Sequence, residues 1–158
     1  MDNHLIKKQN IKDYIDFKYD KVIAFASVNP MDYYDGDFNE KFDVKKFNDT
    51  ISKTLNSTQL KELNDILSGR KNEHTDHNSI SDCFYPRHNI LFLNKDKIIH
   101  HITVCFECNA MKSSKQPLAS MKNLEDFFSS LSLKVFSDPF EHAKYYDSLK
   151  SSHRYKLQ

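Results

Sequence analysis

The chain has 158 residues, 39% of them hydrophobic and 13% aromatic, with 23 basic and 22 acidic side chains and a formal charge of +1. That length fits one domain with a proper core, 1–158, and the aromatic content excludes a disordered chain. The balanced charge gives no basic stripe for nucleic acid, and no apolar run approaches the ~20 residues of a membrane span. Only Gly36 and Gly69 occur. Dinucleotide fingerprints, P-loops and the hydrolase nucleophile elbow all need clustered glycines, so none can be built here.

Lys21 to Val28 is short, β-branched and aromatic, and Asn29-Pro30 stops it. It reads as a buried strand. Residues 31–39, with Asp32, Tyr33, Tyr34, Asp35 and Asp37 around Gly36, read as an exposed loop, since the Asp spacing lacks an EF-hand's further ligands. Val44, Phe47, Ile51 and Leu55 recur at three- and four-residue steps, which predicts a helix. Asn56 with Gln59 resembles a capping box, and Leu60, Leu63, Ile66 and Leu67 then form a stripe ending at Gly69. A helix over about 58–68 follows.

Residues 69–82 are polar and lack periodicity, so they read as a loop. His74 and His77 within it have helical metal spacing, but solvated loop histidines are the simpler reading. Two β-rich runs, 89–93 and 98–106, flank Asn94-Lys95-Asp96-Lys97, a hairpin signal. Met121, Leu124, Phe127, Phe128 and Leu131 mark another helix, and 133–136 a short strand. Asp138-Pro139 with Glu141 starts a last helix over about 139–150, before a frayed tail at 151–158. The expected fold class is α+β: a small antiparallel or mixed sheet with a central hairpin over about 89–106, covered by amphipathic helices on one face.

All three cysteines lie on the hairpin and its flanks: Cys83 in Cys-Phe-Tyr-Pro-Arg-His, and Cys105 and Cys108 in Cys-Phe-Glu-Cys. An odd number rules out a full disulfide framework within one chain. With the turn centred on Lys95-Asp96, Cys83 lies opposite Cys108, His88 opposite Thr103, and Cys105 opposite Pro86, diagonal to His88. Directly opposed Cα atoms stand roughly 4.5–5.5 Å apart, within disulfide reach. Strict alternation puts His88, His101, Thr103, Cys105 and Glu107 on one face. It puts Cys83, Leu91, Ile98, His100, Ile102, Val104 and Cys108 on the other, more apolar face, which is expected to meet the core. His100 and His101 lie near the turn, too far from the cysteines to share a first shell. Pro86 is where a bulge could shift this parity.

Four chemistries compete for the cluster. Zinc could be held by Cys83, His88, Cys105 and Cys108, although Asn109 stands where zinc turns usually carry glycine. Cys105 and Cys108 could form a redox couple with His88 lowering a thiol pKa, although such pairs usually sit at a helix N-terminus. Cys105 could act as a nucleophile, with His88 as base and Glu107 as orienter. The plainest reading is small buried hydrophobes or one bridge.

The run Cys83, Pro86, Arg87, His88, a hairpin, then Cys105, Phe106 and Cys108 resembles a group of uncharacterised bacterial proteins of the Bacteroidetes type. The motif covers about a quarter of the chain, with looser likeness from about 58 to 133. The resemblance implies a shared site but no particular chemistry. Some similar proteins look exported.

The leading expectation is a non-enzymatic binding or structural domain. It would hold zinc through the hairpin or engage a protein partner, as an adaptor or immunity-type protein does. The alternative is a thiol enzyme using Cys105 with His88. The N-terminus shows no apolar signal region, so reduced thiols in a cytosol are expected, with export and one bridge as the alternative.

Overall fold

A computed structural model describes residues 10–32, 40–73 and 83–151. Its element order is β1 (Lys21–Ser27), a 3-10 turn (Val44–Phe47), β2 (Thr50–Thr54), α1 (Ser57–Leu67), β3 (His88–Asn94), β4 (Lys97–Cys105), β5 (Ala110–Lys112), α2 (Met121–Ser130) and α3 (Pro139–Ser151). The strands form one antiparallel sheet in the order β2-β1-β3-β4-β5. The protein is therefore α+β, as its patterning predicts. The polar tracts 33–39 and 74–82, with His74 and His77, and the tail 152–158 lie outside the described residues.

Local chemistry fixes the helix starts. Asn56 and Gln59 make the reciprocal capping box at α1, and Ser120 accepts from Asn123 N at α2. Asp138 accepts from Phe140 N at α3, where Pro139 loses no bond by lacking its N–H. Gly69, just past α1, has φ +81, the left-handed position that ends helices.

All three helices pack on one face of the sheet. Leu63, Ile66, Leu67, Leu124, Phe127, Phe128 and Tyr146 bury against Val22, Ala24, Ala26, Ile51, Ile90, Phe92, Ile102 and Val104. The opposite face is buried as well: Ile23, Phe25, Leu91, Leu93 and Ile98 cluster with Phe47, and Met31 and Phe42 pack against them. The sheet is therefore covered on both sides, helices on one and Met31, Phe42 and Phe47 of the β1–β2 connection on the other. The N-terminal segment straps onto α1 through Tyr14 N to Ser68 Oγ (2.8 Å) and Ile15 N to Asn64 Oδ1 (3.0 Å).

Three expectations need correction. The helix through Val44 and Leu55 is not formed. Asp43 accepts from Lys45 N to cap a single 3-10 turn, and Thr50–Thr54 pairs with β1. Thr50, Ile51 and Thr54 are β-branched and favour the strand. No strand forms at 133–136. Ala110–Lys112, which carry no strand pattern of their own, form β5 at the sheet's edge.

The hairpin register is the third correction. Next to the turn it runs as expected, with Asn94 opposite Lys97 and Leu93 opposite Ile98. Phe92, however, pairs with His100, so Ile99 is an extra residue. This bulge reverses the parity of everything beyond it relative to the straight register. His88 now faces Val104, not Thr103. Lys95 and Asp96 form the turn with φ +50 and +63, the left-handed pair that a two-residue hairpin needs, here without glycine.

Candidate functional site

The far end of the hairpin brings together most of the side chains with chemical potential. Cys83 precedes β3, and Cys108 lies in the Phe106–Asn109 turn between β4 and β5. They form a disulfide with Cα atoms 5.7 Å apart. The bridge joins the pair expected to face each other, but through the turn and not through a continuous ladder. Asn109 follows Cys108 with φ +52, so asparagine takes the left-handed place of a glycine.

Cys105 ends β4 as a free thiol, 1% exposed. Its sulfur accepts from Cys108 N at 3.2 Å and Tyr85 N at 3.4 Å. Burial pushes this thiol up, and the two N–H donors oppose that rise by favouring the thiolate.

His88 is directly opposite Val104, so alternation along β4 places Cys105 on the other face of the sheet. The expected contact of Cys105 with His88 is therefore not made. His88 instead faces the helices, 2% exposed. Its Nε2 lies 3.2 Å from the Leu133 carbonyl, and its ring lies against Phe106, Phe128 and His142. A carbonyl can only accept, so Nε2 carries the proton. Burial is the main cause holding the His88 pKa down at about 3, with His142 adding to it.

Sequence reasoning missed His142. It lies on α3, one turn before Tyr146, and donates from Nε2 to the Ser27 carbonyl at 2.7 Å. Burial lowers its pKa too, against the pull of that carbonyl. The one available signal was its i,i+4 spacing from a core tyrosine, which equally marks a packed residue. His88 and His142 face a small pocket closed by Tyr85, Arg87, Phe106 and Glu107. Its volume is about 10 Å³, room for one water. Arg87 and Glu107 pair at 2.9 Å across its mouth. Glu107 thus engages an arginine and does not orient His88.

Of the four residues expected to hold zinc, the structure gathers Cys83, Cys105 and Cys108 and keeps His88 on the opposite face. Among the described residues no group of three or more histidine, cysteine or acidic side chains is arranged to hold a metal ion. A larger hollow of about 290 Å³, lined by Ile15, Tyr19, Ser57, Leu60, Lys61 and Asn64, contains no cysteine or histidine.

His100 sits at the other end of the hairpin, in a separate network. Tyr14 Oη donates to the Lys115 carbonyl and Ser113 Oγ to the His101 carbonyl. Both hydroxyl protons are thereby committed, so His100 Nε2, 2.8 Å from Tyr14 Oη and 3.2 Å from Ser113 Oγ, is the donor. Burial first, then His101 and Lys115, hold its pKa at about 4. This network pins the N-terminal strap to β4 and has no route to the cysteines.

Among the described residues no helix is long and apolar enough to cross a membrane. Comparison of the chain with protein-family models, with curated proteins and with solved structures gave no match.

Proposed function

We propose that the protein is a non-enzymatic binding domain whose recognition end is stapled by the Cys83–Cys108 bridge. The observation that carries this reading is the separation of Cys105 from His88 by the thickness of the sheet. A nucleophile needs its base within hydrogen-bond reach and an approach for substrate. Cys105 has neither, being buried with its pKa raised.

The same end of the molecule carries exposed aromatic side chains. Tyr85 is 54% exposed and Phe140 82%; Tyr85 and Pro139, the residue before Phe140, line the pocket that Arg87 and Glu107 share. Tyrosine, phenylalanine and arginine are the residue types enriched where proteins meet. A protein partner seated on this end fits that composition, and a bridge supports an oxidising compartment.

The zinc reading keeps one supporting observation, the two N–H groups aimed at Cys105 Sγ, since such bonds stabilise a thiolate whichever cation neutralises it. Metal analysis by plasma mass spectrometry, paired with a thiol count after denaturation without reductant, separates the readings. The expected result is no stoichiometric metal and one thiol. One equivalent of zinc with three thiols overturns the stapled domain in favour of a metal site. Fast alkylation of Cys105 in the native protein at neutral pH would restore the thiol enzyme.

A further inference from the structure

The free thiol does not lie at random relative to the bridge. The N–H that Cys105 Sγ accepts at 3.2 Å belongs to Cys108, one of the two bridged residues. The second donor, Tyr85 N, lies two residues from the other. A thiol, a disulfide and two donors that favour the thiolate thus meet where the Phe106–Asn109 turn packs against the segment before β3. These are the ingredients of thiol–disulfide exchange.

We propose that Cys105 is a resolving thiol that moves the bridge from Cys83–Cys108 to Cys105–Cys108 and releases Cys83 as a surface thiol. The proposal rests on the bridged state of the reading above. Cys105 loses its proton to water, and its thiolate attacks Cys108 Sγ. The Cys105–Cys108 bond forms as the Cys83–Cys108 bond breaks. Cys83 leaves with the electron pair and takes up a proton. One thiol and one disulfide stand on each side, so no oxidant or reductant is consumed.

Burial decides the direction of attack. Cys108 is 1% exposed, whereas Cys83 is only half-buried. Attack on Cys108 expels the sulfur that water can reach. Attack on Cys83 would leave a thiolate in the interior, at the cost of desolvation. The fold favours the original bridge, because Asn109 and Tyr85 hold the turn and its flank in place for it. The exchanged form is therefore a minor state that a second thiol or disulfide-bearing molecule could capture at Cys83.

The test uses the full chain, purified without reductant and treated natively with N-ethylmaleimide. Peptide mass spectrometry then locates the label and the remaining link. Cleavage after Glu107 separates Cys105 from Cys108. The expected result is label on Cys83 with Cys105 joined to Cys108, accumulating about tenfold faster at pH 8 than at pH 7, since the thiolate fraction rises tenfold per pH unit below the thiol pKa. Cys105→Ser is expected to abolish labelling at Cys83, with folding checked by circular dichroism and Cys105→Ala as the substitute should serine not fold. Label on Cys105 with Cys83–Cys108 intact, or no native label while denaturation frees Cys105, overturns the exchange and leaves the staple standing. Labelling of Cys83 in the Cys105 variant also overturns it. Three thiols in the denatured, untreated protein would remove the staple itself, and the exchange with it.

Discussion

The two faces of the sheet are both buried, but in different company. On the helical face the polar groups are answered: His88 reaches the Leu133 carbonyl, His142 the Ser27 carbonyl, and His100 the Tyr14 and Ser113 hydroxyls. On the opposite face a smaller apolar cluster lies beside Ser27, Asn89, His101, Thr103 and Cys105, all 3% exposed or less. Asn89 there is fully buried, and neither polar side-chain atom has a hydrogen-bond partner among the described residues. One face is organised for stability. The other holds a buried carboxamide, that of Asn89, which stability alone does not require.

This contrast can be broken experimentally, beginning with the helical face. Phe128 is fully buried against Phe127, His88 and Phe106. Phe128→Ala is expected to lower unfolding free energy by about 3–5 kcal/mol in a urea titration. A loss under 1 kcal/mol would mean that the helices are not the main core.

The bridge comes next. Cys83 and Cys108 are 25 residues apart, and closing such a loop stabilises by about 2–4 kcal/mol. Cys83→Ser in place of the bridged protein is expected to lose that amount. Equal stability of the two would show that the bridge does not form in solution.

Acid sharpens the comparison. His88 and His100 are neutral in the fold, with pKa values of about 3 and about 4 against an ordinary 6.5. Below about pH 6.5 the unfolded chain takes up protons that the fold refuses, so stability falls as pH drops and keeps falling towards those lower values. Between pH 6.5 and 5 each histidine costs about 2 kcal/mol. His88→Phe and His100→Phe should each flatten the profile. A wild-type stability that is level from pH 7 to 5 would show that neither ring is held neutral.

The smallest effect is expected on the opposite face. Asn89→Leu removes two unanswered polar atoms at similar volume, so stability should stay level or rise by about 1 kcal/mol. A loss of 2 kcal/mol or more would show that the carboxamide is bonded to something, an ordered water or a ligand, and would make this face the place to search.

Much of the fold is legible in the sequence where local chemistry and periodicity agree. Asn56 and Asp138 announce helices because capping is satisfied within a few residues of chain, and the spacing of Met121, Leu124, Phe127, Phe128 and Leu131 announces α2. The hairpin is legible because two β-rich runs flank a short polar turn. Strand β2 is not, because the spacing of Val44, Phe47, Ile51 and Leu55 suits a 3-10 turn followed by a strand as well as it suits a helix. β5 is three residues long and makes no pattern.

The site is legible in part. Cys83 and Cys108 are found as a pair because both flank one hairpin. The Cys105–His88 contact fails because face assignment depends on counting residues, and one bulge upsets the count. A signal was present: Ile98-Ile99 and His100-His101 are doubled residues in a strand that otherwise alternates. His142 is brought to His88 by tertiary packing of α3, which no local pattern encodes.

The bulge also has a bearing on how this hairpin tolerates change in length. Ile99 is a spare residue in β4, partly buried and without an opposite number in β3. A chain lacking it would regain regular alternation while every residue from His100 to Cys105 kept its present side. A residue inserted closer to Cys105 has no such slack to absorb it and would exchange the thiol's neighbours for those of His88. Drift in sequence length is thus harmless at one point of the strand and, a few residues further on, reassigns its chemistry.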